Sequence, residues 1–233
     1  MPTHPFESRG LGAGEHPVDH FWAILDQLKV NDYPQGVEPI RPSDRIPGTA
    51  FFSAGSGLIR SRGQKLPPFP YGGVMFVGHN LDSEESYRRH LANGSDHGDP
   101  DHPTMRTWTN FYALMSLAGI DRSEIFCTNY FVGLKGGEGA TGAFPGRLDV
   151  TFCAWCESFL DEQIQLMRPR VVVALGKPAR RRLGLESQKP TRCRRGDVEF
   201  VGLALMHPSS PAYYQHLEGG QRISVEAAAL REL

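Results

Sequence analysis

A chain of 233 residues with 39% hydrophobic composition is long enough to bury one sizeable core. Lys and Arg total 25 against 26 Asp and Glu, a net charge of -1 that excludes a globally basic nucleic-acid binder, so any polyanion has to be met by local patches or backbone amides. No run reaches membrane-spanning length, and Met1–Gly14 is polar and Gly-rich without the apolar core of a signal peptide, so the expected location is cytoplasmic.

Pro17–Val30 places Phe21, Ile24, Leu25 and Leu28 on one stripe and predicts a first helix. Asp32–Pro70 is rich in Pro, Gly and Ser and reads as an irregular arm in which Phe51 and Phe52 pack on something. Val74–Val77 is a short apolar run of the kind that forms a strand buried on both faces. Asp82 with Glu85 makes a capping box and opens a helix through Leu91. A loop over Asn93–Pro103 precedes a helix at Thr104–Ala118, which carries Met105, Trp108, Tyr112 and Met115 at helical spacing and ends at Gly119. Glu124–Tyr130 is the second strand and Gly133–Gly146 a Gly-rich loop. Thr151–Met167 is a long amphipathic helix that stops before Pro169. Arg170–Leu175 is the third strand, Gly176-Lys177-Pro178 opens another helix, and Val198–Met206 is the fourth strand. Strands alternating with helices predict a three-layer α/β/α fold with a central, mostly parallel, four-stranded sheet. Residues 1–233 are expected to form one domain, with 1–70 as an N-terminal helix plus arm.

Three of these strands end on polar residues. Val74–Val77 runs into Gly78-His79-Asn80, the second strand into Asn129, and the fourth into His207-Pro208-Ser209. Ligands of parallel α/β sheets bind outside the carboxyl ends of the strands, so these residues are aimed at one edge. A neutral His207 there can donate to a developing anion or act as a base. Gly78 permits close approach of a ligand, the amides of His79 and Asn80 can bind a carbonyl oxygen, and the Asn80 side chain can orient a water. The Asn129 amide offers a donor and an acceptor, which suits the edge of a pyrimidine. Taken singly, each of these residues also reads as an ordinary turn or cap, and Trp108 as a core aromatic.

Cys153 and Cys156 form a C-x-x-C on a helix, with only isolated Cys127 and Cys193 besides; a zinc site needs about four ligands, so no metal is expected. The basic clusters Arg180–Arg182 and Arg192–Arg195 read as a solvated face or as phosphate contacts. His90, His97 and His102 lie among Asp96, Asp99 and Asp101 in a spacing that matches no defined metal site.

Val74–Asn80, Thr128-Asn129, Pro169–Gly176 (PRVVVALG) and His207-Pro208-Ser209, in this order, resemble the motifs of the uracil-DNA glycosylase superfamily across Tyr71–Tyr214. The first motif departs from the family's pattern, having Leu81 where Pro is usual. Asn at position 80 looks like the mismatch-specific branch, whereas Arg106-Thr107-Trp108 and Cys156–Leu160 look more like the iron–sulfur branch. The latter's N-terminal C-x-x-C is absent here and Leu134 or a neighbour stands for another cysteine, so no cluster and no other cofactor is expected. The resemblance implies hydrolysis of the N-glycosidic bond of uracil, or of other deaminated bases, in DNA, initiating base excision repair. It implies that His207 and the amides near His79 stabilise the departing base and that Asn80 holds the water. Asn129 would read the Watson–Crick edge of a flipped base and Trp108 would stack on it, with Ser209 and the residues after it pressing on the DNA. A catalytically silent DNA- or nucleotide-binding member of the same fold is the alternative, and a metal or redox protein using Cys153 and Cys156 a third reading. Uracil-containing DNA is the expected partner, with no membrane, and the protein is expected to be a monomer.

Overall fold

The structure is a computed structural model, and it describes residues 6, 10–39, 52–53, 68–81, 83–92, 106–139, 142–185, 189–210 and 221–233. At its centre four short strands run parallel: β3 (Val74–Gly78), β4 (Ile125–Asn129), β6 (Val171–Leu175) and β8 (Val198–Leu205). Two antiparallel strands flank them, β2 (Phe52–Ser53) beside β4 and β7 (Thr191–Arg195) beside β8. The six-stranded order is β2-β4-β3-β6-β8-β7. The four expected strands are therefore the parallel middle of a wider sheet. The extra edges come from the arm and from a segment, Thr191–Arg195, that carries no apolar alternation. A separate two-stranded sheet pairs β1 (Val37–Glu38) with β5 (Leu134–Lys135), so part of the Gly-rich loop is a strand.

Every residue of β3 and β6 is buried, which explains why these strands are apolar without alternation. Their side chains still divide between two layers. Met75, Val77 and Val172 face α1 (Pro17–Leu25) and α4 (Val150–Met167), where Phe21, Ile24, Phe126, Phe159 and Ile164 complete a core. Val74, Phe76, Val171 and Val173 face the opposite layer, with Phe111, Leu114 and Met115 of α3 (Arg106–Ala118) and Ala227 and Leu230 of α6 (Gln221–Arg231). A three-layer α/β/α arrangement results. The first helix ends at Leu25, short of the expected Val30, and a 3-10 turn over Val30–Asp32 follows. A helix over Glu84–Ala92 (α2) follows β3; Asp82, its expected cap, lies outside the described residues, as do Phe51, Met105, the loop around His97 and His102, and the segment 211–220.

Two local devices set the strand ends. Arg168 caps α4 in the left-handed region (φ 48°), turning the chain at Pro169 directly into β6. After β6, Gly176 takes φ +84° and starts α5 (Gly176–Arg182) with no intervening loop. The cluster Arg192–Arg195, read as a solvated face or as phosphate contacts, lies in edge strand β7. There Arg195 pairs with Asp161 and, at 3.5 Å, with Glu157 of α4, while Arg168 pairs with Asp197 at 2.5 Å in the turn between β7 and β8. At least Arg195 is thus committed to fixing the hairpin on α4.

Candidate active site

The parallel register brings Gly78 of β3 opposite Asn129 of β4. A Cβ on Gly78 would lie 2.2 Å from Asn129 Oδ1, so glycine is required for the Asn129 amide to lie across the end of β3. The chain then locks the two strand ends together. Tyr130 N donates to Gly78 O and Phe131 N to His79 O, both at 2.9 Å. The His79 ring stands edge-on to Phe131, centroids 5.2 Å apart, and to Phe144 at 6.3 Å. Those two phenyl rings stack on each other at 4.6 Å and are buried. The Asn80 side chain is a polar neighbour of the His79 imidazole. Burial holds the His79 pKa below the usual histidine value, against the opposite pull of Asn80 and with the Arg182 guanidinium adding to it.

His207 approaches from the end of β8. Its backbone is fixed from three directions. Met206 N donates to the buried carboxylate of Glu226 on α6 at 3.0 Å, Ser210 N donates to His207 O at 2.8 Å, and Asn110 Nδ2 of α3 donates to Pro208 O at 2.7 Å. Gly176 lies against it as well, since a Cβ there would stand 3.1 Å from His207 Cβ. The ring is held by Ser209, whose N–H donates to His207 Nδ1 at 3.2 Å and whose Oγ lies 2.7 Å from the same nitrogen. Because a backbone N–H can only donate, Nδ1 is the acceptor, and in the neutral ring the proton resides on Nε2. Burial, with the neighbouring His79 second, brings the His207 pKa down to about 4. At neutral pH the site therefore presents an uncharged imidazole whose Nε2–H is a donor, next to a second uncharged imidazole.

Gly78, His79, Asn80, Asn129, His207 and Ser209 are thus gathered at the carboxyl edge of β3, β4 and β8. Trp108 is half-buried on α3, about 200° around the helix from Asn110 at 3.6 residues per turn. Its ring packs on Phe111 at 5.5 Å and Tyr112 at 5.9 Å. Asn110, Glu226, Gly176 and Arg182 also build the site, and sequence reasoning did not single out any of them for it. Asn110 and Glu226 are single polar residues on amphipathic helices and carry no local signal. Gly176 had one, a glycine placed directly between a buried strand and a helix. Arg182 lies over the rings of Tyr130 and Phe131, 5.2 and 5.1 Å from their centroids, and donates to Arg147 O at 3.0 Å.

The cysteines do not converge. Cys127 faces the layer of α3 and α6, whereas Cys156 lies on α4 in the other layer with Cys153 half-exposed one turn before it. Burial pushes the Cys127 and Cys156 thiols far above their usual range. Among the described residues no three His, Cys, Asp or Glu side chains group as a metal site. An iron–sulfur cluster does not fit this arrangement.

The carboxyl edge of this α/β/α sheet thus carries a neutral imidazole donor, two side-chain amides and a glycine that lets the strand ends approach one another. The family model of the Uracil DNA glycosylase superfamily matches residues 71–233, and the chain belongs to that superfamily. Membership points to glycosidic-bond hydrolysis in DNA as the class of activity, with DNA as the partner. No curated protein matches the chain. Among the described residues no helix is long and apolar enough to cross a membrane.

Proposed function

We propose that this protein is a monofunctional DNA glycosylase that removes uracil from DNA, acting as a cytoplasmic monomer without a cofactor. The observation that carries the reading is the state of His207: neutral, with Nδ1 occupied by Ser209 and Nε2–H left to donate. Breaking the glycosidic bond leaves the bonding electron pair on the base and an oxocarbenium-like sugar. A fixed, uncharged donor beside the base carbonyl stabilises that developing anion and is worth most where water is excluded. Asn80 holds the water that adds to the sugar carbon. One water proton is released and the base leaves protonated, giving an abasic site and free base. Asn129 reads the amide edge of the pyrimidine and Trp108 stacks on its ring. The motifs place no Lys at the position of a Schiff-base nucleophile, so the product is an abasic site without strand scission.

A second reading, a silent binding member of the family, is favoured by Leu81 in the first motif and by Asn80 being a weaker water activator than a carboxylate. One assay separates them: duplexes carrying uracil, hypoxanthine, xanthine or thymine opposite G, incubated with the protein and then treated with alkali. Cleavage only after alkali, with uracil preferred, is expected. DNA binding without any abasic product would establish the silent reading. Trp108→Ala is expected to spare the fold and weaken binding by about 1–3 kcal/mol, the worth of one base–aromatic stack. A lowered Tm with intact turnover would assign Trp108 to packing alone.

A further inference from the structure

We infer that the 3-10 turn Pro145–Leu148 is a DNA contact, with Arg147 on a backbone phosphate and Leu148 and Val150 against the sugars of the same strand. It requires DNA as the partner and not uracil as the base. The turn stands on the same edge of the sheet as the site. α4 ends at Arg168, which turns the chain directly into β6, so α4 runs against β6 and begins at the carboxyl edge. Its 18 residues span about 27 Å, against about 17 Å for the five residues of β6, so the turn before it projects past the strand ends. Phe144, the residue before the turn, has its ring centroid 6.3 Å from that of His79. Four 3-10 residues add about 8 Å, which puts Leu148 within about 15 Å of the His79 ring. That is the reach of roughly four nucleotides along a strand whose flipped base enters the site.

The inner side of the turn is tied down and its outer side is left to solvent. Phe144 is buried and stacks on Phe131. A Cβ on Gly146 would stand 3.0 Å from the Phe152 ring and 3.1 Å from that of Phe144, so the turn closes tightly on both. Arg182 donates to Arg147 O at 3.0 Å, Cys153 Sγ lies 3.4 Å from the same oxygen, and Asp149 Oδ1 accepts from Phe152 N at 2.8 Å. Held out from this base are Arg147, Leu148 at 77% exposure and Val150 at 82%. A lone exposed leucine is ordinary, but two exposed apolar side chains beside an arginine on a rigid turn make a surface. Its charge suits a polyanion. Among the described residues the Arg147 guanidinium has no ion pair, and Arg181, next to the anchoring Arg182, is exposed as well. Asp149, the carboxylate nearest in sequence, is engaged by Phe152 N. A chain of net charge -1 has to meet DNA through such local groups. A DNA strand alternates phosphates with sugars, and an arginine next to a leucine matches that alternation.

The test is a salt series of binding titrations of the whole chain on an undamaged, fluorescently labelled duplex, read by anisotropy. Arg147→Gln is expected to weaken binding and to reduce the slope of log affinity against log salt by about 0.9, the worth of one phosphate contact. Leu148→Ser with Val150→Ser is expected to weaken binding about tenfold with the slope unchanged, since these side chains carry no charge. Arg170→Gln is the control. It removes the same charge at the amino edge of the sheet, where Arg170 pairs with Glu124 at 2.7 Å, and the slope is expected to stay as in the wild type. An unchanged slope in Arg147→Gln, an equal drop in Arg170→Gln, or full affinity in the Leu148 and Val150 variant would each overturn the inference, as would a wild-type protein that binds no duplex. Sedimentation of the same variants covers the rival occupant: a wild-type dimer that Leu148→Ser dissolves while DNA affinity stays intact would make the turn an interface between copies of this chain. The glycosylase reading fails separately. Wild-type protein that leaves every damaged duplex intact, with the binding losses as expected, would defeat that reading and leave this surface standing; uracil removal without the binding losses would do the reverse.

Discussion

In the proposed reaction the chemistry turns on which nitrogen of His207 carries its proton. Ser209 decides it by donating its backbone N–H to Nδ1, and the lowered pKa keeps the second proton off. Removing the ring should therefore act on the reaction more than on recognition. His207→Ala is expected to lower the single-turnover rate roughly 10²–10³-fold, the usual cost of one preorganised donor, with DNA affinity nearly unchanged. For the same reason the wild-type rate is expected to stay level as pH falls through the ordinary histidine range. It should drop only in the region of pH 4, where His207 takes up its second proton and Nδ1 can no longer accept from Ser209. A rate profile that bends near pH 6.5 would mean that the ring titrates as a free histidine.

At the scale of elements, the site is a meeting of ends that the sheet holds in register. β6 has no polar residue at its end, yet it contributes through Gly176, whose φ of +84° lets the chain enter α5 without a side chain between it and His207. Gly176→Ala adds a Cβ 3.1 Å from His207 Cβ in a conformation that L-residues avoid. A loss of about 1–2 kcal/mol is expected from the backbone alone, measured as a fall in denaturation midpoint, together with a larger drop in rate than in DNA affinity as His207 is displaced. The four parallel strands and their polar ends were legible in the sequence because each is an apolar run that stops abruptly: Val77 before Gly78, Thr128 before Asn129, Met206 before His207. The flanking elements were not. β1, β2 and β5 are two residues each, set by pairing partners distant in the chain, and Thr191–Arg195 pairs with β8 while exposing most of its side chains. The residues that hold the site were hidden for a similar reason. Asn110 meets Pro208 across 98 residues of chain, and Phe144 meets His79 from a distant part of the chain.

Among the described residues, the histidines and carboxyls whose values are shifted share one sense. His79 and His207 have folded-state pKa values below the unfolded histidine value of 6.5. On unfolding they take up protons wherever the pH lies below that value, so their neutral burial costs nothing above pH 6.5 and becomes a penalty as pH falls toward 4. The carboxyls of Asp121, bonded to Ser123, and Asp197, paired with Arg168, are held low as well, so what they contribute is present near neutrality and lost in acid. All four slopes point the same way. The Tm is expected to decline steadily below about pH 6.5, and a Tm flat down to pH 4.5 would show that the two imidazoles are solvated in the folded protein. The strand β7 has a further consequence. Among the described residues it is the last strand of its sheet, and its outer backbone groups face no described partner strand. Such a border invites another chain to add itself, and natural sheets guard it with charge. Arg192 and Arg194 stand exposed along this border, and two molecules approaching there would bring like charges face to face. The arginines that look in sequence like a grip for phosphate thus also protect a concentrated solution of the protein from sheet-to-sheet aggregation.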